Sequence, residues 1–255
     1  MDKKKLTFLG VIITIGIIFG DIGTSVLYVM KSFVKNSDGA LNEMLILGFV
    51  SLIFWVMTLQ TTTKYVLIAL RADNHGEGGV FSLFALIKNK TRKSVVFLAM
   101  LGGATLLADG IITPAITVTS AVEGLHDIFP KLETDDIIVM VLLIFIFIFS
   151  FQRFGTKKIG SLFGPIMSLW FLSLLFWGSR QILANPTILK ALNPYYAYNL
   201  LVAQPGIFVL LGAVFLCVSG AEDLYVDLGH CGRKNVRMAW TMVKICLVAN
   251  YFGQA

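Results

Sequence analysis

Apolar runs alternate with short polar stretches along the whole chain. The runs lie near 6–30, 44–70, 94–124, 136–151, 159–183, 205–228 and 237–254. Each reaches or approaches the roughly 20 residues that carry a helix across a hydrocarbon core, so seven spanning helices are predicted. Between them, Asn36-Ser37-Asp38-Gly39 and Lys131-Leu132-Glu133-Thr134-Asp135-Asp136 have loop chemistry. The apolar stretch Val80–Ile87, after Asn74-His75-Gly76-Glu77-Gly78-Gly79, is too short to span. It reads as an interfacial or re-entrant helix entered from a cytoplasmic loop. The stretch from Leu183 to Gln204, with Asn193-Pro194-Tyr195-Tyr196, is expected to be an external loop covering the membrane face. The first run carries no small-residue cleavage site and is expected to persist as a helix. The last run ends without a cap or basic flank, which reads as a chain that continues further.

Composition strengthens this picture. Hydrophobic residues make up 56% and charged residues 14%; the mean hydropathy is +0.80. One soluble core cannot hide that much apolar surface, so membrane lipid is the expected surrounding. The net charge of +6 comes from short clusters between the runs, not from a basic stripe with interleaved aromatics, which argues against nucleic acid. Cys217, Cys231 and Cys246 form neither a CxxC pair nor a ligand cluster and read as packing residues. No resident cofactor is expected. His75, His126 and His230 fall in loops or at span ends and read as solvated.

Basic residues set the orientation. With a cytoplasmic N-terminus, the inside set is Lys3, Lys4, Lys5; Arg71, Lys88, Lys90, Arg92, Lys93; Arg153, Lys157, Lys158; and Arg233, Lys234, Arg237. These 14 stand against five outside, Lys31, Lys35, Lys131, Arg180 and Lys190, while Lys64 and Lys244 lie within spans.

An ionisable residue at membrane depth costs at least about 2.5–3.5 kcal/mol at a helix centre, so each requires a reason. Four stand out: Asp21, Asp109, Glu123 and Glu222. Asp21 sits in Gly20-Asp21-Ile22-Gly23-Thr24-Ser25, where two glycines and two hydroxyl residues weaken the first helix. Unwound carbonyls beside one carboxylate suit a monovalent cation, and Tyr28 adds a hydroxyl. Asp21 equally suits the N-cap of a second half-helix, and the two roles are compatible.

A second break is expected at Ser219-Gly220-Ala221-Glu222-Asp223-Leu224-Tyr225 in the sixth span. Two interrupted segments in separated positions point to a midplane site in an inverted repeat, with a first five-helix repeat over about 1–183 and a second beginning over about 205–255. Glu222 is a candidate proton carrier, or a cap or hydrogen-bonded acid. Asp223 and Asp227 lie nearer the cytoplasmic end and read as solvated. In the third span, Thr113 and Thr117 share a face one turn apart, and Pro114 deprives the Gly110 carbonyl of its helical partner. Back-bonding of the threonines to their own helix is the competing reading. Glu123 returns to nearly the face of Asp109 about 21 Å further out, as an outer gate, a proton relay or an interfacial acid.

These motifs, with Leu70-Arg71-Ala72-Asp73-Asn74-His75-Gly76-Glu77-Gly78-Gly79, Gly110-Ile111-Ile112-Thr113-Pro114-Ala115, Gln152-Arg153-Phe154-Gly155-Thr156 and Asn250-Tyr251-Phe252-Gly253-Gln254, closely resemble the KUP/HAK/KT potassium-uptake family over essentially the whole chain. The resemblance implies an all-α integral membrane protein of LeuT-like fold, in the amino-acid/polyamine/organocation superfamily, importing potassium into the cell with protons. Family members carry about twelve spans and a cytoplasmic C-terminal region, which makes this chain a first half; homodimerisation through that further region is compatible with it. The implied potassium site falls on Asp21, Tyr28, Thr113, Thr117, Ser219 and Glu222, with Glu222 and Glu123 implicated in proton coupling. Val26 stands where the family usually has Pro, leaving the break less rigid, and Asp223 stands where an apolar residue is common.

The expected partners are the potassium ion, the proton and plasma-membrane lipid. A channel-like uniporter is the nearest alternative, although no run of filter-type carbonyl donors is present. An intramembrane aspartyl protease built on Asp21 and Asp109 is the alternative of another class. It lacks a glycine at Ile18, where a GxGD-like approach requires one. A nutrient sensor that binds without transport has no residue-level support.

Overall fold

The computed structural model describes residues 5–37, 41–87, 93–129, 131–152, 156–203 and 207–255. Lys3, Lys4, Lys88, Lys90, Arg92, Arg153, Asp38-Gly39 and Phe154-Gly155, which entered the orientation, loop and motif readings, lie outside them. Described elements are helical, and the isolated bridge Asn74–Glu77 is the strand-like pairing among them.

Helix α1 (Phe8–Ile18) starts where the Thr7 hydroxyl accepts from the Gly10 N–H at 3.0 Å, satisfying one of the first-turn donors. It meets α2 (Gly20–Lys35) at a bend of 70°. Helix α3 (Glu43–Arg71) is capped by Asn42, whose side chain accepts from the Leu45 N–H at 2.8 Å. Its second half, Met57–Ile68, widens into π-type turns. There the Thr62 and Thr63 hydroxyls donate to carbonyls five residues back, Met57 and Thr58, at 3.4 and 3.1 Å. Such threonine back-bonding accompanies the altered helical register. Short α4 (Val80–Ile87) packs against α5 (Lys93–Glu123), where a β-carbon on Gly103 would meet the Phe81 ring. Next come α6 (Thr134–Gln152), α7 (Thr156–Ala184), α8 (Pro194–Ala203), α9 (Ile207–Phe215), two single turns α10 (Asp223–Val226) and α11 (Leu228–Cys231), and α12 (Arg233–Gln254).

Helices occupy all seven predicted runs. Among the described residues, four are long and apolar enough to cross a membrane: Glu43–Arg71, Lys93–His126, Phe163–Ala184 and Ile207–Val226. The bent pair α1–α2 makes a fifth if it is one span. The described residues are therefore all-helical and those of a membrane-embedded protein, with four to five candidate spans among them where the apolar runs predict seven over the chain.

The stretch from Leu183 to Gln204, expected to be an external loop covering the membrane face, carries helical structure. Its described part forms a 3-10 segment, Pro186–Leu192, and α8. Proline at the first helical position starts both, since it has no N–H to leave unpaired. Asn193 accepts from the Tyr195 N–H at 3.0 Å. This layer lies on α3: the Ser51 hydroxyl donates to the Asn193 carbonyl at 3.1 Å, and a β-carbon on Gly48 would come within 2.8 Å of Leu200.

The main core gathers α1, α2, α3, α7, α9 and α12. Glycines bring the backbones together. Gly16 of α1 faces Gly164 of α7, and Gly178 of α7 faces Ala249 and Gly253 of α12, leaving no room for a β-carbon. Dispersion between close backbones drives helix association in lipid, where the hydrophobic effect between helices is absent. Cys217, Cys231 and Cys246 are buried, as their packing role requires, and His75, His126 and His230 are exposed.

Candidate cation site

The chain turns at Phe19 (φ −97°, ψ 14°), one residue before the predicted break. Gly20–Thr24 is helical with Phe19 at its N-cap position and no side-chain cap bond, so Asp21 sits in the first turn of a new half-helix without capping it. A 3-10 turn, Ser25–Leu27, and an irregular Tyr28 (φ −125°, ψ −18°) follow.

Several carbonyls expected to be free here are occupied. Thr24 donates its hydroxyl to the Asp21 carbonyl at 2.9 Å, Ser25 to that of Ile22 at 2.8 Å, the Trp170 indole to that of Gly23 at 3.0 Å, and the Gln254 amide to that of Val26 at 3.3 Å. Tyr251 closes on the same turn, its hydroxyl 3.0 Å from the Ser25 hydroxyl. Lipid tolerates irregular backbone only when neighbours re-satisfy it, and α7 and α12 do so here. Each of these carbonyl oxygens keeps a second lone pair, and Asp21, Thr24 and Ser25 add side-chain oxygens beside them.

The second break is present. Ser219 is extended (ψ 138°), Gly220 has φ +79°, and the helix resumes at Asp223. A β-carbon on Gly220 would lie 2.6 Å from the Asp21 Oδ2 atom. Glycine is required there twice over, for its left-handed backbone and for the contact that brings the two breaks together.

Helix α5 supplies the third wall. The Thr113 hydroxyl donates to Asp109 Oδ1 at 2.7 Å, one turn back, and the Ser219 hydroxyl donates to the same oxygen at 3.4 Å. Thr117 stands 3.4 Å, hydroxyl to hydroxyl, from Thr24. Between these elements lies a cavity of about 580 Å³, lined on its polar side by Asp21, Thr24, Asp109, Thr113, Thr117 and Asp223. The Oδ1 atom of Asp21 is buried and accepts no hydrogen bond among the described residues. Buried oxygens are nearly always partnered, which makes this one the candidate contact for a group from outside the chain.

Asp21, Thr113 and Thr117 thus share the cavity, and Ser219 joins them through Asp109. Tyr28 is buried in the adjoining core and Glu222 is half-buried, and neither lines the cavity. Glu123 lies apart, in an ion pair with Lys31 at 2.5 Å whose side chains are 39% and 63% exposed. Asp223, expected to be solvated, is half-buried and lines the cavity, because the turn after Gly220 swings it inward; Asp227 is also half-buried. Asp109 and Thr24 were absent from the predicted ligand set. The i, i+4 spacing of Asp109 and Thr113 was the available signal.

Residues 8–255 match the family model described as the K+ potassium transporter integral membrane domain. The chain is 53% identical over 252 residues to a probable potassium transport system protein Kup of Flavobacterium johnsoniae, covering 99% of this chain and 38% of that protein. Proteins of the same name from Cytophaga hutchinsonii and Enterococcus faecalis are 54% and 51% identical, over 98% and 100% of this chain and 38% and 39% of theirs. The chain therefore spans about two fifths of the length of these relatives. No solved structure matches it.

Proposed function

This chain belongs to the K+ potassium transporter family, and on that premise we propose that it forms the cation-binding part of a carrier that moves potassium into the cell together with protons. One observation carries the reading: two interrupted helices and α5 converge on a cavity bearing carboxylates, hydroxyls and one unpartnered buried acid oxygen. The relatives described above are named as transport proteins and not as enzymes.

Potassium is the substrate. Asp21 supplies the balancing charge, and Thr24, Thr113 and Thr117 supply hydroxyl oxygens that replace part of its hydration shell. Asp109 orients Thr113 and Ser219 by accepting from both. Glu222, beside the second break, carries the co-transported proton, with Glu123 assisting at the outer end. Rocking of one helix group against the other, as expected of a LeuT-like inverted repeat, exposes the cavity to alternate sides. The plasma membrane with a cytoplasmic N-terminus fits the distribution of basic residues.

The test is rubidium uptake by the complete protein in proteoliposomes under an inward proton gradient. Asp21→Asn and Asp109→Asn are each expected to reduce uptake at least about tenfold, equivalent to about 1.4 kcal/mol of lost stabilisation. Unchanged uptake by Asp21→Asn would refute the assignment, and uptake indifferent to the proton gradient would refute the coupling.

A further inference from the structure

The motif Leu70–Gly79 contributes nothing to the cavity lining, yet it is built against the half-helix that does. Asn74 and Glu77 exchange backbone hydrogen bonds at 2.9 and 3.0 Å across a tight turn whose central residues, His75 and Gly76, have φ +54° and +92°. Positive φ at both positions is the signature of a hairpin turn that holds its shape. The Asp73 Oδ2 atom accepts from the Gly76 N–H at 3.0 Å, and its Oδ1 accepts from the Arg233 guanidinium at 2.7 Å.

This turn is docked on α10 and α11. The Tyr225 hydroxyl donates to the Ala72 carbonyl. A β-carbon on Gly78 would overlap the Tyr225 carbonyl, and one on Gly229 would overlap the Glu77 carboxylate. Gly79 lies against Val226, where a β-carbon would sit 3.6 Å from the Val226 side chain. Val226 is itself a cavity-lining residue, like Asp223 one turn earlier. One side chain therefore touches the hairpin and the cavity at once.

We propose that Asp73 and Arg233 are positioning residues for the cavity: their ion pair clasps the 73–79 hairpin onto α10 and α11 and so holds Val226 and Asp223 in the cavity wall. The clasp joins the turn that follows α3 to the start of α12. The cavity-wall placement stands on geometry alone, and its consequence for uptake rests on the transport reading.

The test uses the complete protein carrying Val226→Cys, labelled by a membrane-impermeant maleimide in detergent and in vesicles, with the unmodified protein as the control for its other cysteines. Asp73→Asn and Arg233→Gln are each expected to raise the labelling rate at position 226 about tenfold, and the double variant no further, because both remove one interaction. In uptake assays the same variants are expected to raise the half-saturating rubidium concentration more than they lower the maximal rate, and Arg233→Lys to recover most of the loss. Unchanged labelling in the single variants, or single effects that multiply in the double variant, overturns the clasp. A normal labelling response without rubidium uptake by the unmodified protein instead overturns the transport reading and leaves the clasp standing.

Discussion

At Gly220 a single hydrogen atom in place of a side chain decides whether the two breaks meet. Its φ of +79° and its approach to Asp21 both exclude a β-carbon. Gly220→Ala is accordingly expected to cost about 2 kcal/mol and to abolish uptake, as a lowered melting temperature in detergent would register. Ser25→Ala is a milder case: it removes the bonds to the Ile22 carbonyl and the Tyr251 hydroxyl, and about 1 kcal/mol of stability is expected to go with them. By contrast Glu123→Gln breaks an exposed ion pair with Lys31, so its effect on stability should stay below about 1 kcal/mol. A large loss of uptake with unchanged melting would then mark Glu123 as functional. The sequence exposed Asp21 and Gly220 because an acid between two glycines, and a glycine two residues before an acid, are conspicuous in apolar runs. It did not expose the role of Asp109, whose meaning depends on Ser219, 110 positions away.

Helix α3 shows what propensity leaves undecided at the scale of an element. Its length and hydropathy predict an ordinary spanning helix, yet residues Met57–Ile68 take wider turns. Helix α12 holds them in that form: the Lys244 ammonium donates to the Thr58 and Thr62 hydroxyls at 3.0 and 3.2 Å, and the Trp240 indole donates to Thr62 at 3.0 Å. Trp240 also stacks on Phe19, the residue at the bend of the first span, with ring centroids 6.1 Å apart. Lys244, a cation within a predicted span, thus has a structural reason to be there. Lys244→Met is expected to cost about 1–2 kcal/mol through its two lost hydrogen bonds, measurable by thermal unfolding in detergent. Gly16→Val should be worse, at about 3 kcal/mol, since its side chain would have to enter the Gly164 backbone of α7.

Across the whole molecule the packing is uneven. Only 6% of the most apolar window of α5 is buried within the chain, and on α6 side chains such as Leu142, Leu143 and Ile146 are exposed by 55%, 60% and 62%. These faces need lipid or further apolar protein around them. Leu143→Lys, near the middle of α6, is therefore expected to cost about 2.5–3.5 kcal/mol of insertion free energy, visible as a reduced membrane-integrated fraction. Orientation is a property of the same scale, because it sums charges over every loop. A cysteine at Lys5 should be labelled by an impermeant reagent from the cytoplasmic side only.

Sequence by itself determined that the protein is helical and membrane-embedded, where its apolar runs lie, and which acids and glycines interrupt them. Those properties follow from local composition and period: an apolar run of spanning length has no stable place in water, and a buried acid or a glycine pair stands out against it. The family, too, was readable from contiguous motifs. Tertiary structure decided the rest. The bend falls at Phe19, the carbonyls of the first break are capped by Trp170 and Gln254, the 183–204 stretch is helical in its described part, and Asp109 and Asp223 share a cavity with Asp21. Each depends on groups far apart in the chain meeting in space. The order of residues does not state such distances; close backbone approach at a few glycines sets them.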